Sequence, residues 1–232
     1  MIVDYFQYLG EREVQEDSLY VSDDFNFFVV CDGIGSSEGK FASTFLVSKL
    51  KKMYDEYPKP FSEISFKNFI HEGITELGNF IDFKSGTTLV TLYLKGTIAY
   101  FTHIGDSKLY FWSNNIFYST RDHSVVQDLF ECGVIETENQ MKSHPLKNRI
   151  TKAITSDTHY DQNFIEINSF YGIEKNDVFV LCSDGVIENF TNQEFNEYIA
   201  SSAPEYHNRI KQLELERAKH SIDNSSLIFI QI

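Results

Sequence analysis

Basic residues are scarce in this chain. Lys and Arg number 20 against 34 Asp and Glu, a formal net charge of −14. A nucleic-acid partner demands a basic surface, so that class is not expected; an anionic lipid surface would be repelled. Cysteine is rarer still. Cys31, Cys132 and Cys182 are odd in number and form no CxxC pair, which argues against a disulfide framework or a structural zinc site. Cys31 and Cys182 lie in apolar runs and read as small core residues. No apolar run approaches ~18 residues, so no transmembrane helix is expected. The N-terminal stretch MIVDYFQYLGEREVQED carries acids early and lacks a basic start, so no signal peptide is expected and the compartment is expected to be the cytoplasm. Proline occurs only 4 times, with no Gly/Ser tract and no charge block. Without a linker signal, one domain is expected over 1–232.

Aromatics are what the chain has in quantity: 21 Phe and 13 Tyr among 232 residues. They favour strands that pack on both faces. Strand-like runs occupy 25–31, 87–94, 97–104, 108–112, 116–119, 164–170, 178–182 and 227–232. Lys95-Gly96 and Ser113-Asn114-Asn115 read as hairpin turns, so the sheets should be largely antiparallel. Apolar residues near a 3.6 period mark helices over 39–54 and 66–81; a third helical group covers 193–200 and 206–219. The expected fold class is α+β, a four-layer αββα sandwich of two mainly antiparallel sheets flanked by helix pairs.

A quasi-repeat concentrates the chemistry. FFVVC runs into Asp32-Gly33, and VFVLC into Ser183-Asp184-Gly185. A buried strand delivers its terminal acid to a fixed place, and the glycine is expected to permit a sharp turn and close approach to a ligand. One Asp-Gly is an ordinary turn signal; two copies after apolar runs are harder to dismiss. Asp106 follows another strand, Asp223-Asn224 precede the last one, and Glu16-Asp17 lie near the start. Acids held close repel unless cations sit among them. Ligands of oxygen alone suit Mg²⁺ or Mn²⁺ rather than Zn²⁺.

The ordered set Arg12-x-x-x-Glu16-Asp17, Asp32-Gly33-x-Gly35, Ser85-Gly86-Thr87-Thr88, Gly105-Asp106-Ser107, Asp122-His123-Ser124, His144-Pro145 with Asn148, Ser183-Asp184-Gly185 and Asp223-Asn224 resembles the protein phosphatase 2C (PPM) family in its compact bacterial form. Each motif alone is weak; their order over nearly the whole chain is specific. The resemblance implies a metal-dependent Ser/Thr protein phosphatase, a phosphomonoester hydrolase that uses two Mn²⁺ or Mg²⁺ ions, with a third in bacterial relatives. It implies that Asp32 bridges two ions, that the Gly33 carbonyl is a further ligand, and that Asp184 and Asp223 complete the first ion. Asp106 with Asp184 would serve the third. Glu16 and Asp17, with Asn224 beside them, would bind metal-bound waters, and Arg12 would grip the substrate phosphate. The implied partners are phosphoserine and phosphothreonine proteins in a Ser/Thr kinase pathway.

The chemistry agrees. A phosphate dianion resists an anionic nucleophile, and paired cations overcome this by clamping its oxygens and acidifying a water. A planar guanidinium suits the remaining oxygens. Two other classes compete: a pseudophosphatase serving as a regulatory binding module, and a two-metal nuclease. The first should have lost a metal ligand, and the second is opposed by the acidic balance.

Three departures from the family pattern stand out. Ser36 replaces a second glycine, Ile34 stands where eukaryotic members carry a general-acid His, and Ala153-Ile154-Thr155-Ser156 lacks an expected glycine. Asp122-His123-Ser124 reads as a cap on a helix starting near Val125, and Gly86-Thr87-Thr88 as the start of a core strand. The stretch 133–148 is polar and irregular, and in bacterial relatives this region forms a flap beside the site.

Overall fold

The structure, a computed structural model, describes residues 1–35, 38–81, 85–114, 116–156, 161, 163–188, 190–200 and 205–232, the side chains of 216–220 excepted. Ser36 and Asn115 lie outside the described residues. Four strands open the chain: Ile2–Tyr8 (β1), Ser18–Val21 (β2), Phe27–Cys31 (β3) and Gly33–Gly35 (β4). Helices Gly39–Glu56 (α1) and Glu63–Gly78 (α2) follow. Next come Ser85–Thr87 (β5), Leu89–Lys95 (β6), Ile98–Ile104 (β7), Lys108–Ser113 (β8) and Ile116–Ser119 (β9). Short helices Val125–Glu131 (α3) and Glu138–Ser143 (α4) lead to strands Ile154–Thr155 (β10), Asn168–Tyr171 (β11) and Val178–Cys182 (β12). The last elements are Asp184–Ile187 (α5), Asn192–Ala200 (α6), Tyr206–His220 (α7) and Ser225–Gln231 (β13).

Two five-stranded sheets, ordered β1-β13-β12-β8-β9 and β11-β7-β6-β3-β2, are joined by a small sheet, β10-β5-β4. Their ladders are antiparallel. Side chains alternate across a strand, and that alternation builds the layers. Phe27, Val29 and Cys31 of β3 pack with Leu46, Leu50, Phe69 and Ile70 of α1 and α2. Phe28 and Val30, on the other face, meet Phe179, Leu181 and Ile228 of the second sheet. On the far side of that sheet, Val178, Val180 and Phe229 meet Phe195, Ile199, Ile210 and Leu213 of α6 and α7. This is the expected αββα order. Among the described residues no helix is long and apolar enough to cross a membrane.

Several boundaries differ from expectation, each for a local reason. Phe25 has a left-handed φ of 52°, so β3 starts at Phe27. The expected strand 87–94 breaks at Thr88, whose N–H donates to the Asp32 carbonyl at 2.8 Å. Helix α2 starts three residues earlier than its apolar period, because Ser62 and Ser65 form a reciprocal capping box. The strand expected over 164–170 is β11, at 168–171; Phe164 and Ile165 instead pack against the α1/α2 core. β1 was not anticipated, and it pairs with β13 over seven residues, from Ile2↔Gln231 to Tyr8↔Ser225. The polar stretch 133–148 contains α4, held by a Thr137–Gln140 capping box.

Phe61 centres the aromatic cluster under α2. It is fully buried, and its ring lies 5.0 Å from those of Phe69 and Tyr93. Phe61→Ala removes these contacts and leaves a cavity, so it should destabilise the protein by about 3–5 kcal/mol. Urea unfolding measures this; a loss below about 1 kcal/mol would mean the cluster adjusts freely.

Candidate active site

Both sheets send their acids to one edge of the sandwich. β3 ends at Asp32-Gly33, and β12, the centre of the other sheet, ends at Ser183-Asp184-Gly185. Asp106 lies in the link from β7 to β8, which joins the two sheets, and Asp223 immediately precedes β13. Because Tyr8 pairs with Ser225, the segment after β1 runs beside Asp223-Asn224. The Asn224 side chain donates to the Leu9 carbonyl at 2.8 Å and accepts from the Glu16 N–H at 2.7 Å. The Glu16 carbonyl in turn accepts from the Gly33 N–H at 3.1 Å and from the Ser43 hydroxyl. Arg12 arrives on the same segment and donates to Asp223 at 2.6 Å, with its side chain 53% exposed.

Asp32 is gripped through its backbone. Its N–H donates to Thr88 Oγ1 at 2.9 Å, and its carbonyl accepts from the Thr88 N–H and from Thr87 Oγ1 at 2.8 and 2.9 Å. Thr88 Oγ1 and Ser107 Oγ are 2.7 Å apart, which ties Asp32 to the Asp106 link. Ser183 donates to Asp17 Oδ2 at 2.7 Å and accepts from the Ser226 N–H at 2.9 Å. The sequence reading missed these hydroxyls as parts of the site, although each stands next to or inside a motif it singled out.

The two Asp-Gly glycines are not there for a left-handed turn. Neither Gly33 nor Gly185 has a left-handed φ. A Cβ on Gly33 would lie 2.3 Å from the Gly39 carbonyl oxygen, and one on Gly185 would lie 2.0 Å from that of Asn224. Backbone packs directly on backbone here, which is how two strand ends, a helix start and the Asp223 turn share so small a space.

The acids feel one another. Burial, followed by Asp17, Asp184, Asp106 and Asp223, raises the Asp32 pKa well above the carboxylate range. Burial, followed by Asp106, Asp223 and Asp17, does the same to Asp184. Asp106 is pushed up to about 7 by burial and then Asp122; Asp17 is pushed up to about 6, chiefly by burial. Asp17 Oδ1 and Asp106 Oδ1 are buried without a hydrogen-bond partner. Nearby cations do not resolve this. Arg12 sits on the rim with Asp223, and buried Lys108 is committed to Asp122 at 2.5 Å.

Converging, unpartnered carboxylate oxygens fit a hard divalent cation. Among the described residues no three His, Cys, Asp or Glu side chains close into a ready-made ligand shell. An ion here would complete its coordination with water, as Mg²⁺ commonly does.

Asp17, Asp32, Asp106, Asp184 and Asp223 thus share one electrostatic neighbourhood. Arg12 and Glu16 stand at its edge, and Asn224 is occupied in holding backbone. His123 does not join them as an acid. It stacks on His103 at 4.6 Å, its Nδ1 accepts from the Gly105 N–H, and burial followed by His103 lowers its pKa to about 3. Ser124 caps α3, as its position suggested.

The sequence model of the family described as protein phosphatase 2C matches residues 9–223. This chain belongs to the protein phosphatase 2C family. The serine/threonine phosphatase stp of Listeria monocytogenes (serotype 4b) is 27% identical over 185 residues, 75% of this chain and 71% of its own. The crystal structure of serine/threonine phosphatase Stp1 from Staphylococcus aureus superposes with a TM-score of 0.82 at 23% identity, covering 99% of this chain and 94% of that one. The catalytic domain of the protein phosphatase PstP, solved with two manganese ions, gives 0.79 at 21% identity, with 98% and 96% covered. These two structures carry the phosphatase 2C fold. The Listeria protein carries the likeness in sequence.

The raised pKa values have a sign. Between the ordinary Asp value of about 3.9 and about 7, the folded chain holds protons that the unfolded chain has released, so stability falls as pH rises through that window. In EDTA, the melting temperature should be higher at about pH 5 than at about pH 8, and Asp106→Asn should flatten the difference. Melts that do not change with pH would contradict the clustering of these acids.

Proposed function

We propose that this chain hydrolyses phosphoserine and phosphothreonine esters in proteins, with divalent cations held at the five-aspartate edge of the sandwich. The observation that carries the reading is the set of buried, mutually repelling carboxylates with unpartnered oxygens at Asp17 and Asp106, bordered by the exposed guanidinium of Arg12. Asp32, the Gly33 carbonyl, Asp184 and Asp223 would hold two ions, and Asp106 with Asp184 a third. Glu16, Asp17 and Asn224 would orient the water around them. Bound there, Mn²⁺ or Mg²⁺ supplies Lewis acidity and an activated water.

The protein's own groups have separate tasks. Thr87 and Thr88 keep Asp32 from shifting as charge changes around it. Arg12 has donors beyond the one given to Asp223 and reaches solvent, so it can take phosphate oxygens bidentately. The leaving oxygen of a serine or threonine needs a proton. Ile34 has none to give, and His123 is neutral and turned to Gly105. The proton would come from a water held by Asp106 and Asp184; Asp106, a carboxylate with an unpartnered Oδ1, would place that water rather than give up a proton of its own. The free thiols Cys31 and Cys182 suit a reducing compartment. The reading extends to cytoplasmic phosphoproteins, opposite a Ser/Thr kinase.

Asp32→Ala should lower Mn²⁺-dependent phosphopeptide turnover by more than about 100-fold and weaken Mn²⁺ binding in calorimetry. It should leave the metal-free melting temperature no lower than that of the parent, since it removes repulsion. Retained turnover and Mn²⁺ affinity would end the assignment.

Asp106→Ala separates proton delivery from site assembly. It should damage kcat for a phosphoserine peptide far more than kcat for p-nitrophenyl phosphate, whose leaving group needs no acid. Equal losses would place the proton elsewhere.

A further inference from the structure

A cavity of about 150 Å³ opens beside the acids, bounded by α3, α4, the residues after α4, and the connection from α5 to α6. Asp106 and Asp184 form its inner end, and Val126, Met141, Ile187 and Phe190 give it an apolar wall. α5 is one turn long. Glu188 follows Asp184 by four residues and keeps right-handed helical angles, so both carboxylates project from one face of that turn. Glu188 lines the cavity, and its Oε2 is buried without a hydrogen-bond partner.

The other charges of the wall are engaged or leave this oxygen unserved. Lys108 pairs with Asp122 at 2.5 Å, and Lys142 lies 3.7 Å from Glu194. Glu138 accepts the Asn192 N–H at 2.7 Å. Lys147 also reaches the wall, yet Glu188 Oε2 remains without a donor.

We propose that this cavity holds the side chain of a lysine or arginine that neighbours the phosphorylated residue in the substrate protein, with its cationic tip donating to Glu188 Oε2. The proposal rests on the phosphatase reading. A buried carboxylate oxygen without a donor is costly, and more so beside other acids. A long side chain with an apolar stem and a charged tip matches both parts of the lining. An acidic side chain would add repulsion next to Asp106, Asp184 and Glu188; a small apolar one would leave Glu188 unpaired. An extended peptide advances about 3.3–3.6 Å per residue, so a residue one or two places from the phosphorylated one can enter while the phosphate lies at the acids.

The test uses phosphothreonine peptides that differ only in Lys, Ala or Glu at each of the two positions on either side, assayed in saturating Mn²⁺. At one position the parent should prefer Lys over Ala by on the order of tenfold in kcat/KM, with Glu the poorest. Glu188→Gln should erase that preference and Glu188→Lys should invert it. Both should leave p-nitrophenyl phosphate turnover unchanged, because that compound carries no cationic side chain for Glu188 to meet. A parent indifferent to Lys, Ala and Glu would overturn the proposal, as would a preference that survives in Glu188→Gln. Loss of p-nitrophenyl phosphate turnover in the parent itself would instead count against the phosphatase reading. The peptide series is then scored by fluorescence anisotropy, which reads binding without catalysis, and the same ordering is required.

Discussion

Burial, and after it the charge of neighbouring acids, raises the hold of Asp17, Asp32, Asp106 and Asp184 on protons at the edge where both sheets end. Left to themselves, such charges would push their backbones apart. The structure prevents this by holding each acid through its neighbours. Thr87, Thr88 and Ser107 fix Asp32 and the Asp106 link; Ser183 bridges Asp17 and Ser226; Asn224 ties the segment after β1 to the turn before β13. None of these bonds spends a carboxylate oxygen except the one from Ser183, so most acceptor capacity stays directed into the site.

The same constraint explains why glycine flanks two of the acids. Carboxylates can converge only if the chains that carry them converge first. At Gly33 and Gly185 the approach is closer than any Cβ would permit. Close approach of backbone, rather than an unusual dihedral angle, is what those positions require. The burial of β3 and β12 on both faces supplies the rigidity behind it. A strand packed against helices on one side and a second sheet on the other cannot retreat from its neighbour's charge.

The layered fold and the acids were legible because both write themselves locally. An apolar run that stops at Asp-Gly shows its strand and its cargo in a few residues, as at 27–33 and 178–185. What was not legible depends on distant partners. β1 carries Asp4, Tyr5 and Gln7 among its apolar residues and is a strand because β13 lies beside it. The ion pair between Arg12 and Asp223 spans 211 positions, and the sequence reading gave that arginine only to phosphate. Phe164 and Ile165 have strand-like side chains, yet the helix-side core takes them and the ladder begins later. Glu188 carries no motif at all. Its significance comes from a cavity assembled from separate stretches of chain.

Chemistry and recognition are therefore built from different materials. Asp32 and Asp184 follow strands whose residues are all buried. The border of the cavity stands on α3, with only Val126 buried, and α4, with no buried residue. Those helices persist through caps at Ser124 and Thr137 rather than through a core. Changes in their exposed faces leave the sandwich untouched, so the border can differ between relatives while the strand ends stay the same. They are not isolated from the site, however. Glu138 at the start of α4 holds the Asn192 N–H at the start of α6, and both residues line the cavity. That bond ties the start of α4 to the part of the wall that includes Thr191 and Asn192, so the two borders of the cavity are held together by one carboxylate.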